Sequence, residues 1–128
     1  MRNDICVIDD DEIYQRIIRK LISRARVFEK AFFYMNAVDA LEDLKNPETS
    51  LPRVILLDIN MPAMDGWQFI ELLQNSYPSL FEKCDIYIVT SSISYSDKVK
   101  MEEYPGLAGF LSKPINVGKL VEIGKAVK

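Results

Sequence analysis

Histidine is absent from this chain of 128 residues, and cysteine occurs only at Cys6 and Cys84. Without histidine there is no Ser-His-Asp triad, no phosphohistidine carrier, and no zinc site short of an unusual ligand set. Any phosphoryl group that reaches the chain must be brought by another molecule. The cysteines stand in no metal or redox spacing and read as free thiols in a reducing compartment, with Cys6 inside a strand. Positive charge is not in excess: 16 Lys and Arg face 19 Asp and Glu, for a net charge of -3. A basic field for nucleic acid is missing, so direct DNA or RNA binding is not expected. No apolar run nears the roughly 18 residues that cross a bilayer. Met1-Arg2-Asn3-Asp4 and the four apolar residues that follow are too short and too acidic for a secretory signal. These absences lead to an expectation of a cytoplasmic protein without membrane contact. With no repeat, low-complexity tract or linker, residues 1–128 read as one domain.

What is present is alternation. Ile5-Cys6-Val7-Ile8, Ala31 to Met35, Arg53 to Leu57, Ile86 to Val89 and Leu107 to Leu111 read as five strands, most of them unbroken apolar runs suited to burial on both faces. Between them lie helical patterns. Ile13, Ile17 and Leu21, widened by Ile18 and Ile22, predict the inward stripe of a first helix whose other side is basic. Ala37, Ala40, Leu41 and Leu44 predict a second. Trp67, Ile70, Leu73 and Tyr77 predict a third, stopped by Pro78, and 97–104 a short polar fourth. A fifth is capped by Asn116 and turns Val117, Leu120 and Val121 inward, weakened by Gly118 and Gly124. Five strands alternating with five helices imply an α/β fold: a five-stranded parallel sheet between two helical layers, in the flavodoxin-like order 2-1-3-4-5.

Each strand end then acquires meaning, because ligands bind at the carboxyl edge of such a sheet. The first strand stops at Asp9-Asp10-Asp11, the third at Asp58, the fourth at Thr90-Ser91 and the fifth at Lys113-Pro114. Asp11 reads as the cap of the first helix. Asp9, Asp10 and Asp58 cannot all be ionised within a few ångströms without a counter-ion, since two unit charges at 4 Å repel by roughly 4 kcal/mol at an effective dielectric near 20. An all-oxygen donor set selects a hard divalent cation, Mg²⁺ first and Mn²⁺ second. Lys113 adds a fixed positive charge and Thr90 a hydroxyl. Together these groups suit a dianionic phosphoryl group.

The motifs Val7-Ile8-Asp9-Asp10-Asp11, Asp58-Ile59-Asn60-Met61-Pro62-Ala63-Met64-Asp65-Gly66, Val89-Thr90-Ser91 and Phe110-Leu111-Ser112-Lys113-Pro114 resemble those of the receiver domain of bacterial two-component response regulators, over essentially the whole chain. The resemblance implies Asp58 as phosphoacceptor, with a sensor histidine kinase or histidine phosphotransfer protein as donor. It implies Mg²⁺ held by Asp10, Asp58 and the backbone carbonyl of Asn60, with Asp9 acting through a metal-bound water. It further implies Lys113 on a phosphoryl oxygen, a cis Lys113–Pro114 bond, and a switch in which Thr90 moves and Phe110 rotates. Small residues at Ser91, Asn60 and Ser92 imply easy water access and a short-lived phosphorylated form. On this reading the chain is a signalling protein rather than an enzyme, catalysing only its own phosphorylation and dephosphorylation. It signals by phosphorylation-dependent binding to a downstream protein, or passes phosphate onward in a relay.

Some features depart from the pattern. Ala108 and Gly109 stand where many DNA-binding regulators of this kind carry acidic dimer contacts, which disfavours a transcription-factor dimer. A stand-alone regulator is the simplest expectation; a receiver module cut from a larger regulator or hybrid kinase is the alternative. The basic first helix, with Tyr14 and Ile115 beside it, is a candidate docking face for a kinase, and a merely solvated face accounts for it equally well. The segment from Tyr77 to Asp85 has no assigned role. The main rival is a Mg²⁺-dependent aspartyl-phosphate phosphatase, which needs an acid two residues after the nucleophile, where this chain has Asn60. A flavodoxin-like cofactor binder would need a phosphate loop after the first strand, and a pseudo-receiver would have lost some of these side chains.

Overall fold

In the computed structural model, residues 3–126 are described. The strands are β1 (Asp4–Ile8), β2 (Lys30–Tyr34), β3 (Val54–Leu57), β4 (Asp85–Thr90) and β5 (Gly109–Ser112). They form one parallel sheet in the order β2-β1-β3-β4-β5. The helices are α1 (Glu12–Ala25), α2 (Ala37–Leu44), α3 (Gly66–Ser76), α4 (Leu80–Lys83), α5 (Tyr95–Glu103) and α6 (Val117–Lys125).

The unbroken apolar strands follow from the layering. Cys6, Ile8, Ile55, Leu57, Ile86 and Ile88 join one core with residues of α2, α3 and α4. Their neighbours Ile5, Val7, Val54, Leu56 and Val89 join a second core with α1 and α6. A strand with helices on both faces has no polar side, so alternation disappears from its sequence. Register is set by the same burial: Ile8 pairs with Leu57, and Leu57 with Ile88, so β1 and β3 finish level while β4 continues to Thr90. Both cysteines are buried and free.

Three expectations need correction. First, α1 turns Tyr14, Gln15, Ile18, Ile22 and Ala25 inward, while Ile13 is 71% and Ile17 48% exposed. The true stripe runs one residue later than the isoleucine ladder suggested. The helix is clocked by polar bonds that hydrophobic periodicity ignores: Asp11 accepts from the Tyr14 N–H, and the Gln15 amide donates to the carbonyls of Asp9 and Tyr34. Second, the described residues form six helices rather than five. The unassigned segment after Pro78 contains α4, which buries Leu80 completely and sets Phe81 against Tyr104. Third, α6 buries Leu120 and Ile123, with Val117 and Val121 only partly covered.

Gly124 is also more than a weak point in α6. A Cβ there would strike the side chain of Val27, with its Cβ at 2.8 Å, so the glycine permits α6 to close against the chain after α1. At Gly118 the nearest atom to an added Cβ is the Asn116 carboxamide oxygen at 3.4 Å. The two glycines should therefore respond oppositely. Gly118→Ala is expected to stabilise by about 0.5–1 kcal/mol through helix propensity. Gly124→Ala should destabilise by about 1–3 kcal/mol through overpacking. Urea unfolding of both variants checks this, and equal shifts of one sign would refute it.

Candidate functional site

The carboxyl ends of β1, β3, β4 and β5 bring together the residues that the sequence singled out. Asp9 and Asp58 are buried and Asp10 is exposed; carboxylate oxygens of the three lie within 4.8 Å of one another. Backbone bonds extend the sheet through this edge. The Asp58 N–H donates to the Ile8 carbonyl at 3.0 Å, the Asp9 N–H to Tyr34 at 3.1 Å, and the Lys113 N–H to Thr90 at 3.0 Å. The Asp9, Asp58 and Lys113 side chains thus leave backbone positions held by an adjoining strand. The Lys113 ammonium lies 2.6 Å from an Asp9 oxygen and 3.8 Å from an Asp58 oxygen. It also sits over the ring of Tyr14, 4.4 Å from its centroid. The Lys113–Pro114 bond is cis, as the motif resemblance implied.

Local bonds order the cluster. One Asp9 oxygen accepts from the Asp11 N–H at 2.9 Å, and an Asp58 oxygen accepts from the Asn60 N–H at 3.2 Å. The Thr90 hydroxyl donates to the Ser92 carbonyl at 3.0 Å, and the Asn60 amide reaches Thr90 Oγ1 at 3.4 Å. Ser91, Ser92 and Asn60 are exposed, so the mouth of the site is open to water. Phe110 is half-buried against the α3-side core. The loop after Asp58 is tightly constrained. Ala63 has φ of 68°, a left-handed conformation costly for a residue with a Cβ, with the Met64 N–H donating to Pro62. A Cβ on Gly66 would lie 2.8 Å from the Asp58 carbonyl, so this glycine lets α3 start directly beneath the candidate acceptor. Asp65 caps that helix in a reciprocal box with Gln68.

This geometry has a family. The model of the response regulator receiver domain matches residues 5–125. The chain belongs to that family. The receiver is 27% identical over 122 residues to protein PilG of Pseudomonas aeruginosa, covering 95% of this chain and 84% of that protein. It is 26% identical to the DNA-binding transcriptional regulator NtrC of Proteus hauseri, again over 95% of this chain but spanning only 24% of that protein. Among solved structures, a two-component response regulator from Legionella pneumophila superposes with a TM-score of 0.80 at 27% identity, covering 98% of this chain and 100% of that one. The receiver is a signalling domain of the CheY-like type, and its parallel sheet order is that of the family. Among the described residues no helix is long and apolar enough to cross a membrane.

All the acidic, lysine and threonine positions chosen from sequence converge on this edge. Sequence alone offers Tyr14 only as an apolar contact beside the basic face of the first helix; the structure places it inside α1 with its ring against Lys113. The available signal was its position, one helical turn beyond the acid pair. The Asn60 side chain, bonded to Thr90, was likewise unforeseen.

Charge crowding has a measurable consequence. Burial raises the Asp58 carboxyl from 3.8 to about 6; Asp9 and Asp10 push the same way, while the Asn60 N–H and Lys113 oppose. The folded state therefore holds this proton more tightly than the unfolded chain. The resulting stabilisation is complete below about pH 4 and is lost as pH rises through about 6. In chelator, Asp58→Asn should be more stable than wild type at neutral pH by about 1–2 kcal/mol, after allowance for screening. The gap should close towards about pH 4. Parallel urea midpoints for the two proteins across that range would contradict this account.

Proposed function

We propose that this receiver accepts a phosphoryl group on Asp58 from a phosphohistidine of a sensor kinase or phosphotransfer protein, and signals through protein–protein binding or onward relay. The observation that carries the reading is the convergence of Asp58 with Asp9, Asp10, Lys113 and Thr90 at one sheet edge, in a chain of the receiver family. An Asp58 oxygen attacks phosphorus; its new P–O bond forms as the donor's P–N bond breaks, and the imidazole leaves. Lys113, already 3.8 Å from Asp58, shifts from Asp9 towards the phosphoryl oxygens and balances their charge. Catalysis here is positioning and neutralisation.

Receiver domains bind Mg²⁺ at an acidic pocket, and the all-oxygen cluster of Asp9, Asp10 and Asp58 fits such an ion. Asp10, Asp58 and the Asn60 carbonyl would hold it, with Asp9 one water removed. Bound there, Mg²⁺ supplies charge neutralisation for the incoming phosphoryl group. Mn²⁺ is the second candidate.

Thr90 would carry the signal. Its hydroxyl is engaged by the Ser92 carbonyl, and exchanging that partner for a phosphoryl oxygen frees the segment leading into α5. Phe110, half-buried on β5, would turn into the vacated space. The exposed Ser91, Ser92 and Asn60 support water access and a short-lived phosphorylated form. The match over residues 5–125 supports one receiver unit along the chain; action in the cytoplasm without direct nucleic-acid contact is part of the same proposal, resting on the acidic net charge. A module of a longer regulator is the second reading, favoured by relatives such as NtrC that extend far beyond the matched region.

Incubation with Mg²⁺ and acetyl phosphate should add one base-labile phosphoryl group, seen by intact mass and abolished in Asp58→Asn. Lys113→Ala should stay folded and bind the metal, yet phosphorylate roughly 100-fold more slowly. Steady turnover of phosphomonoesters would instead mark a phosphatase. Wild-type protein that never gains the group would refute the assignment.

A further inference from the structure

We propose that Tyr14 is a positioning residue for phosphoryl transfer, its ring face holding the Lys113 ammonium within reach of Asp58. The inference rests on the phosphoacceptor reading and adds to it a residue outside the acidic motifs. Lys113 Nζ has three neighbours of different character. Asp9 holds it at 2.6 Å, Asp58 lies 3.8 Å away, and the Tyr14 centroid is at 4.4 Å. The Asp9 contact is the strongest and, alone, would anchor the amine on the wrong carboxylate. A ring face attracts a cation without a directional bond. The ammonium can therefore slide from Asp9 towards Asp58 while keeping that support.

Two further observations favour the ring as the working part of Tyr14. Its backbone is tied to the site by a short relay: the Asp11 N–H donates to Asp9 Oδ1, and Asp11 Oδ1 accepts from the Tyr14 N–H. The first turn of α1 is thereby fixed relative to the carboxylate that Lys113 must leave. The Tyr14 hydroxyl, by contrast, is buried with no hydrogen-bond partner among the described residues. A buried unpaired hydroxyl adds nothing to stability, so the position gains from the aromatic face and not from the phenol oxygen.

A side chain serving only to fill the core would depend on shape, whereas this role depends on ring electrons. The test replaces Tyr14 with phenylalanine and then with mono-, di- and trifluorophenylalanine, which keep the shape and weaken the ring's negative face stepwise. Rates of phosphorylation by acetyl phosphate with Mg²⁺ are read by intact mass. Tyr14→Phe should stay within about twofold of wild type, and the trifluorinated ring should lose about three- to tenfold, in graded steps. A second readout needs neither metal nor phosphate. Urea unfolding of Tyr14→Leu, Lys113→Met and the double variant should be non-additive, the Tyr14 change shifting the unfolding constant at least about threefold less once Lys113 is gone. A flat fluorination series in a protein that does become phosphorylated overturns the role of Tyr14 alone, as does an additive cycle. Absence of any acyl phosphate in wild type strikes instead at the Asp58 reading beneath it.

Discussion

Repulsion between carboxylates gathered at one sheet edge is the constraint on which the rest of this structure depends. Asp9, Asp10 and Asp58 bring oxygens within 4.8 Å of one another, two of the three side chains being buried. Pairwise repulsion at such distances is of the order of kcal/mol even with substantial screening. The protein holds the arrangement through strands paired on both sides and through Lys113, which reaches two of the carboxylates at once. Asp58 still binds its proton more tightly than a free aspartate does. The site is thus destabilised in itself and stabilised by its frame, a state that an incoming cation or phosphoryl dianion with its metal would relieve.

The frame shows how that load is carried. β1 and β3 are central strands, buried along their whole length, and their backbone pairing continues past their last residues into Asp9 and Asp58. Helix caps extend the same order into the loops, Asp11 for α1 and Asp65 for α3. The glycine at the start of α3 lies against the Asp58 backbone.

Much of this was legible from residue types. Apolar runs ending in polar residues fixed the strands, and the right-handed crossover rule left the observed sheet order as the natural outcome. The clustered aspartates, the lysine and the threonine all came from strand ends. What periodicity misread was rotation: Ile13 and Ile17 looked like core and are exposed, while Tyr14 and Gln15 are buried. Hydrophobic spacing reports that a helix has an apolar side, but here polar bonds from Asp11 and Gln15 choose which edge of that side faces inward. Contacts formed across elements, such as Tyr14 with Lys113, carry no sequence spacing at all. Helix α4 was missed because four residues are too few to show a period.

The far side of the sheet edge is built differently. Helix α5 buries none of its residues. It is tied to α3 by the Trp67 indole N–H, which donates to Asp97 at 3.2 Å, and by Tyr104, stacked on Trp67 and tilted against Phe81. Asp97 also closes a capping box with Ser94. These hydrogen bonds outweigh its partial desolvation and keep its carboxyl below the ordinary range. A helix held by one indole bond, an aromatic stack and the partly buried Met101 shifts at lower cost than one whose face is seated in a core. The loop that enters it begins at Thr90, whose hydroxyl holds the Ser92 carbonyl. The two sides of the sheet edge are complementary in build: the carboxylates leave strands buried along their length, while α5 buries none of its residues.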